Sequence, residues 1–225
     1  MSRMERAHSL NVSQRIRACG LIPIIRFHHI DQAEKIAEAL LAARVDIIEF
    51  SMTSRPALLA IEKVTDIFGD TIVVGAGTVL DVETARACIL AGALFIISPA
   101  VKPDVISICK RYSAVACPGA LTPTEVLLAW ESGADFVKIF PCGDLGGPAY
   151  IRSLKAPYPH IEMIPVGGVN TDNAADYIHA GCAALGVGAG IISGKSLEQS
   201  HYEDITEKAS RLFEIIQKAK STSRE

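Results

Sequence analysis

The 225-residue sequence has no excess of charge of either sign: 22 lysines and arginines stand against 25 aspartates and glutamates, for a formal net charge of −3. That balance lacks the electrostatic footprint of a nucleic-acid binder or of a chain held to an anionic membrane. A C-x-x-C pair is also missing. The six cysteines (Cys19, Cys88, Cys109, Cys117, Cys142 and Cys182) are dispersed, which argues against the short-spaced ligand pairs of a structural zinc site. Apolar neighbours, as in Ala87-Cys88-Ile89 and Val115-Ala116-Cys117, mark them instead as small, reduced core residues. No apolar stretch of the secretory kind follows Met1-Ser2-Arg3-Met4-Glu5-Arg6, and no apolar run is long enough to span a bilayer. The expectation is a cytoplasmic, reducing location.

What is present is 49% apolar and 21% charged residues, the composition of a folded globular chain, in a length that suits one α/β barrel. Short β-branched runs alternate with helical patterns. The strands expected are Leu21–Arg26, Asp46–Phe50, Thr71–Ala76, Leu94–Ser98, Ala114–Cys117, Asp135–Phe140, Glu162–Val166 and Ala183–Val187. Between them lie amphipathic segments such as Asp31–Ala43, Pro56–Phe68, Val82–Ala91, Pro123–Ser132 and Asn173–Ala180. In the first of these, Ala33, Ile36, Ala37, Leu40 and Leu41 recur at helical spacing, and Asp31 offers an N-cap. Ala91-Gly92-Ala93, Ser132-Gly133-Ala134 and Ala180-Gly181-Cys182 each place a glycine just past a helix end, where a left-handed residue turns the chain back to the sheet. Eight such units predict a single (β/α)₈ TIM barrel over residues 1–225, with 1–10 and 221–225 frayed. A doubly wound open sheet is the structural alternative, but the strands fill the chain and leave no second domain. Asn11–Cys19 is expected to be an extra helix capping the barrel's N-terminal end, and Tyr202–Lys220 the last helix.

Barrel enzymes carry their chemistry at the C-terminal ends of strands. Two charged residues stand there. In Asp135-Phe136-Val137-Lys138-Ile139-Phe140, alternation places Lys138 between two aromatic residues on the inward face. Desolvation there would lower its pKa and favour the neutral amine that attacks a carbonyl. The pattern supports equally a lysine that snorkels to solvent or one that binds a phosphate statically. In Ile47-Ile48-Glu49-Phe50, Glu49 faces inward and needs a partner, because a lone buried charge is costly. Lys138 is the natural one, either in a structural ion pair or with Glu49 as a proton shuttle.

Glycine-rich turns follow three strands: Gly75-Ala76-Gly77-Thr78, Gly167-Gly168-Val169-Asn170 and Gly186-Val187-Gly188-Ala189-Gly190. The last two occupy the positions where barrels commonly bind phosphate, although glycine suits a tight turn anywhere. Thr78 stands as a hydrogen-bonding residue or a helix cap, and Arg26 as a carboxylate binder or a solvated loop residue. His28-His29 lacks nearby carboxylates and reads as loop surface. Asp144 and Glu125 read as surface or cap residues.

Taken together, the chain resembles the 2-keto-3-deoxy-6-phosphogluconate / 4-hydroxy-2-oxoglutarate aldolase family from about Ile22 to Lys218. The resemblance is carried by Leu21-Ile22-Pro23-Ile24-Ile25-Arg26, Ile48-Glu49-Phe50-Ser51-Met52-Thr53, Val74-Gly75-Ala76-Gly77-Thr78-Val79, Ile97-Ser98-Pro99, Cys117-Pro118-Gly119-Ala120-Leu121-Thr122-Pro123-Thr124-Glu125, Val137-Lys138-Ile139-Phe140-Pro141 and Pro165-Val166-Gly167-Gly168-Val169. Each segment is unremarkable alone; their order and spacing are specific. The resemblance implies a class I aldolase in carbohydrate metabolism, an aldehyde-lyase that needs no metal or other cofactor and forms a homotrimer. It would cleave a 2-keto-4-hydroxy acid to pyruvate and an aldehyde. It implies Lys138 as the Schiff-base lysine and Glu49 as the proton-handling carboxylate. Thr78, Pro99 and Phe140 would line the pyruvyl pocket, and Gly167, Gly168 and the turn at Gly188 would form the distal anion site.

Two positions depart from the family's common pattern. Thr53 stands where many members carry an arginine four residues after the glutamate, which turns attention to Arg26 for the substrate carboxylate. Ala189 stands where members often have a serine, removing one contact to a phosphate. The alternatives are a non-covalent sugar-phosphate epimerase or isomerase barrel using Glu49 and Lys138, and a catalytically silent ligand-binding barrel.

Overall fold

A computed structural model describes residues 3–192, Leu197 and 200–222, with side chains from Asn11 onward. The described residues form nine short parallel strands: β1 (Leu21–Ile25), β2 (Ile47–Ser51), β3 (Val73–Gly77), β4 (Phe95–Ile97), β5 (Val115–Cys117), β6 (Gly119–Ala120), β7 (Val137–Ile139), β8 (Met163–Pro165) and β9 (Leu185–Val187). Every residue in them is buried. This is why they read as near-continuous apolar runs: a parallel strand covered on both faces has no solvent side to make polar.

The strands hydrogen-bond in the order β5-β4-β3-β2-β1-β9, with β6-β7-β8 as a second set. Two joints close the ring. β5 and β6 are consecutive pieces of one strand, interrupted where Pro118 lacks an N–H to give to the ladder. Its carbonyl still accepts from Lys138 N at 2.9 Å, which ties the break to β7. On the other side, Val166 pairs with Gly186 in a parallel bridge, and Ala183 N donates to Met163 O at 3.0 Å. The result is the eight-position parallel barrel expected from the sequence, with strand five in two parts.

Helices α1 (Arg3–Cys19), α2 (Gln32–Ala42), α3 (Ala57–Phe68), α4 (Val82–Leu90), α5 (Pro103–Arg111), α6 (Pro123–Glu131), α7 (Pro148–Lys155), α8 (Ala174–His179) and α9 (Tyr202–Thr222) complete the described elements. α1 takes in residues 3–10, which were expected to fray, and α9 runs two residues past Lys220. Residues 223–225 of the expected tail lie outside the described residues. Asp31 makes no capping bond to α2; Gln32 Oε1 accepts from His29 N at 3.4 Å instead. α4 and α6 are capped by side chains. Asp81 accepts from Thr84 N at 2.7 Å, and Thr122 with Glu125 forms a reciprocal capping box.

α1 seals the N-terminal end of the barrel. Arg15 binds Asp46 at 2.8 Å and the carbonyls of Asp70 and Thr71, and Arg17 binds Glu162. From α9, Gln217 donates to the carbonyls of Ala18 and Cys19 at 3.0 and 2.9 Å, satisfying acceptors that a helix C-terminus leaves open. With that end closed, the C-terminal ends of the strands form the open mouth.

Candidate active site

The two charges on inward strand faces are both buried: Glu49 is 1% exposed and Lys138 6%. Glu49 comes from the middle of β2, in register with Ile24 on β1 and Gly75 on β3. Lys138 comes from the middle of β7, in register with Gly119 and Ile164. Burial raises the Glu49 carboxyl pKa above its usual range, while the charges of Lys138 and Arg26 oppose that rise. Glu49 Oε2 is buried without a hydrogen-bond partner among the described residues. A carboxyl in that condition favours its protonated form and is suited to passing a proton. The Lys138 Nζ lies 4.8 Å from the centroid of the Phe140 ring, a cation–π distance. Cys117, at the end of β5, lies near both charges: burial pushes its thiol pKa up, the Lys138 charge opposes this and the Glu49 charge adds to it.

Absence of side chains makes room for these groups. A Cβ on Gly77 would fall 1.6 Å from Glu49 Oε1, so the Glu49 carboxyl occupies the space that glycine leaves on β3. A Cβ on Gly119 would fall 2.4 Å from the carbonyl of Pro99, which packs against the register partner of Lys138.

Beside these groups opens a cavity of about 520 Å³, and six of the residues singled out from sequence line it: Arg26, Phe140, Gly167, Gly168, Gly188 and Ala189. Arg26 Nη1 lies 3.4 Å from where a Cβ on Gly188 would be, so the guanidinium lies against the second glycine turn. The first turn requires glycine, with φ of 90° at Gly167 and 76° at Gly168. Asn173 braces it, donating to Gly168 O at 2.8 Å and accepting from Asn170 N at 2.9 Å. The cavity's polar contributions are the Arg26 guanidinium and the turn around Gly167 to Asn170, an arrangement that receives an anion.

Thr53 and Thr78 do not line this cavity. They meet each other through Ser51, whose Oγ lies 2.9 Å from Thr53 Oγ1 and 3.1 Å from Thr78 Oγ1. Thr78 has a φ of 58°, a conformation that β-branched residues rarely adopt. It is not the cap of α4, a role taken by Asp81. His28 and His29 are exposed in the loop after β1, and among the described residues no cluster of His, Cys, Asp or Glu is arranged to hold a metal. Sequence reasoning gave Ser51 and Asn173 no role, and read Gly77 only as part of a turn. Ser51 and Gly77 acquire their roles through Thr78 and Glu49, partners 27 and 28 positions away that the fold brings, whereas Asn173 acts on the turn just before it in the chain.

The chain is similar to known proteins over most of its length. The family model described as KDPG and KHG aldolase matches residues 12–208. The 2-dehydro-3-deoxy-6-phosphogalactonate aldolase of Escherichia coli (strain K12) is 37% identical over 182 residues, covering 80% of this chain and 88% of that protein. A solved structure described as native KDPGal superposes with a TM-score of 0.83 at 34% identity, over 89% of this chain and 96% of the other. The KDPG aldolase of Legionella pneumophila, with pyruvate captured at low pH as a covalent carbinolamine intermediate, superposes with a TM-score of 0.84 at 25% identity, over 89% and 97% of the two chains.

Proposed function

The chain belongs to the KDPG and KHG aldolase family, carbon–carbon lyases that cleave 2-keto-3-deoxy acids to pyruvate and an aldehyde, and we propose that it does so through a Schiff base on Lys138 with Glu49 as the proton carrier. The observation that carries this reading is the pairing, inside one barrel, of a buried lysine with a buried carboxyl whose Oε2 has no partner. In its unprotonated form the Lys138 amine adds to the C2 carbonyl of the keto acid. Water leaves from the carbinolamine, with Glu49 supplying its proton. The iminium so formed accepts the electron pair of the C3–C4 bond when the C4 hydroxyl is deprotonated, by Glu49 directly or through a water. The aldehyde departs, the enamine takes a proton at C3, and hydrolysis frees pyruvate and the amine.

In this reading Thr78, Pro99 and Phe140 surround the pyruvyl portion, with Thr78 and Arg26 meeting the substrate carboxylate. Gly167, Gly168, Gly188 and Ala189 meet the portion that leaves as aldehyde, and Thr53, linked to Thr78 through Ser51, stands on the carboxylate side. The shared cavity supports this for the glycine turns, Arg26 and Phe140. Family resemblance supports a homotrimer and a cytoplasmic location.

Borohydride reduction in the presence of pyruvate tests the assignment. Intact protein should gain one reduced pyruvyl group, mapped by peptide mass to Lys138, and Lys138→Met should gain none and lose turnover. An adduct on another lysine, or none with an actively cleaving enzyme, overturns it.

A further inference from the structure

The turn from Gly167 to Asn170 lines the cavity, but its first two carbonyls are held from outside it. Gly167 O accepts from Gly143 N at 2.9 Å, and Gly168 O accepts from Asn173 Nδ2 at 2.8 Å. Neither Gly143 nor Asn173 lines the cavity. Asn173 Oδ1 accepts from Asn170 N at 2.9 Å, so one side-chain amide clasps the turn at two points. Both partners are main-chain groups of fixed kind: an N–H only donates and a carbonyl only accepts, which settles the orientation of that amide. The N–H groups of Gly168 and Val169 make no hydrogen bond among the described residues. Asn173 also stands at the start of α8, where an asparagine side chain usually caps the helix, yet it makes no cap bond. Its side chain serves the turn instead.

We propose that Asn173 is a positioning residue: by holding the Gly168 carbonyl away from the cavity, it leaves the Gly168 and Val169 N–H groups to receive an anionic group on the aldehyde-derived half of the substrate. The proposal rests on the reading that the glycine turns meet that half. A trans peptide unit is planar, so its carbonyl and the N–H that follows point opposite ways and turn together. The Gly168 carbonyl and the Val169 N–H share one such plane. Released from Asn173, that plane can rotate, because the glycine before it, at a φ of 76°, has no side chain to resist. A carbonyl oxygen turned inward repels the anion that the N–H attracts. The cavity has little to compensate with: Arg26 is the one cationic side chain lining it, and Ala189 offers no hydroxyl. Gly143, five residues past Lys138, holds the turn from the other flank. A Cβ there would fall 2.9 Å from Gly168 Cα, so the two backbones touch. In this reading the pyruvyl half, bound at Lys138, does not meet the turn and is insensitive to its shape.

The test measures kcat and KM with a 2-keto-3-deoxy sugar acid carrying a terminal phosphate and with the same acid lacking it. It uses the unmodified protein, Asn173→Ala, Asn173→Ser and Gly143→Ala, each also subjected to borohydride trapping with pyruvate. The unmodified protein should have the lower KM for the phosphorylated acid. Asn173→Ala should raise that KM about tenfold or more, the scale of losing hydrogen bonds to a charged group. Its KM for the unphosphorylated acid and its trapping at Lys138 should change little. Serine caps a helix as well as asparagine does, so a role confined to starting α8 would let Asn173→Ser recover the unmodified values. With one short hydroxyl in place of the two-armed amide, it should instead keep most of the defect. Gly143→Ala pushes the same turn from the other flank and should show the same split between the two acids. These two variants carry the test if Asn173→Ala fails to fold. Equal KM values for the two acids in the unmodified protein, an equal rise for both in the variants, or full recovery in Asn173→Ser overturns the proposal while leaving the Schiff-base reading intact. Absence of trapping in the unmodified protein overturns that reading, and with it the substrate placement on which this proposal depends.

Discussion

Glu49 is buried with one oxygen unpartnered, and its protonated form is favoured in the folded chain more than in the unfolded one. Between the usual carboxylate range and the raised folded value, the native state therefore binds more protons than the unfolded state. Stability must fall as pH rises through that window. Glu49→Gln cannot ionise, so as pH rises above the usual carboxylate range its melting temperature should decline less than that of the unmodified protein; parallel profiles would refute the raised carboxyl. At this scale, Lys138 and Glu49 were legible from sequence because a charge among apolar strand residues is conspicuous. Ser51 was not, since a serine in a strand has many ordinary explanations and its two threonine partners lie two and 27 positions away.

The strands were the most readable elements, because burial on both faces leaves few polar residues to blur the run. Strand five was read as ending at Cys117, yet it resumes as β6 beyond Pro118. Two residues with a glycine carry no period to detect, and only pairing with β7 defines them. α5 and α7 did not stand out either. Each is short and begins at a proline, with Gly146 and Gly147 preceding α7, so turn signals precede the apolar face. β2 and β3 come close where the Glu49 carboxyl lies over Gly77. Gly77→Ala should displace that carboxyl. The expected outcome is a fall in kcat of about a hundredfold or more, with circular dichroism unchanged and pyruvate trapping slowed. An alanine variant that turns over normally would show that Glu49 does not act from this position.

At the scale of the whole molecule, several large apolar side chains remain in solvent on the helical shell, among them Leu59 on α3 and Leu90 on α4. A homotrimer, as the family resemblance implies, would cover part of such a surface. Light scattering should give three times the chain mass across a tenfold dilution; a monomer would refute it. The sequence by itself determined the alternation of strands and helices, the parallel barrel, and the two charged strand residues, all of which follow from local period and burial. Only the tertiary structure decided that ring closure runs through the break at Pro118, that Gly77 yields its space to Glu49, and that the hydroxyls of Thr53 and Thr78 meet at Ser51. Strand closure and close approach are properties of neighbours in space, which no periodicity along the chain encodes.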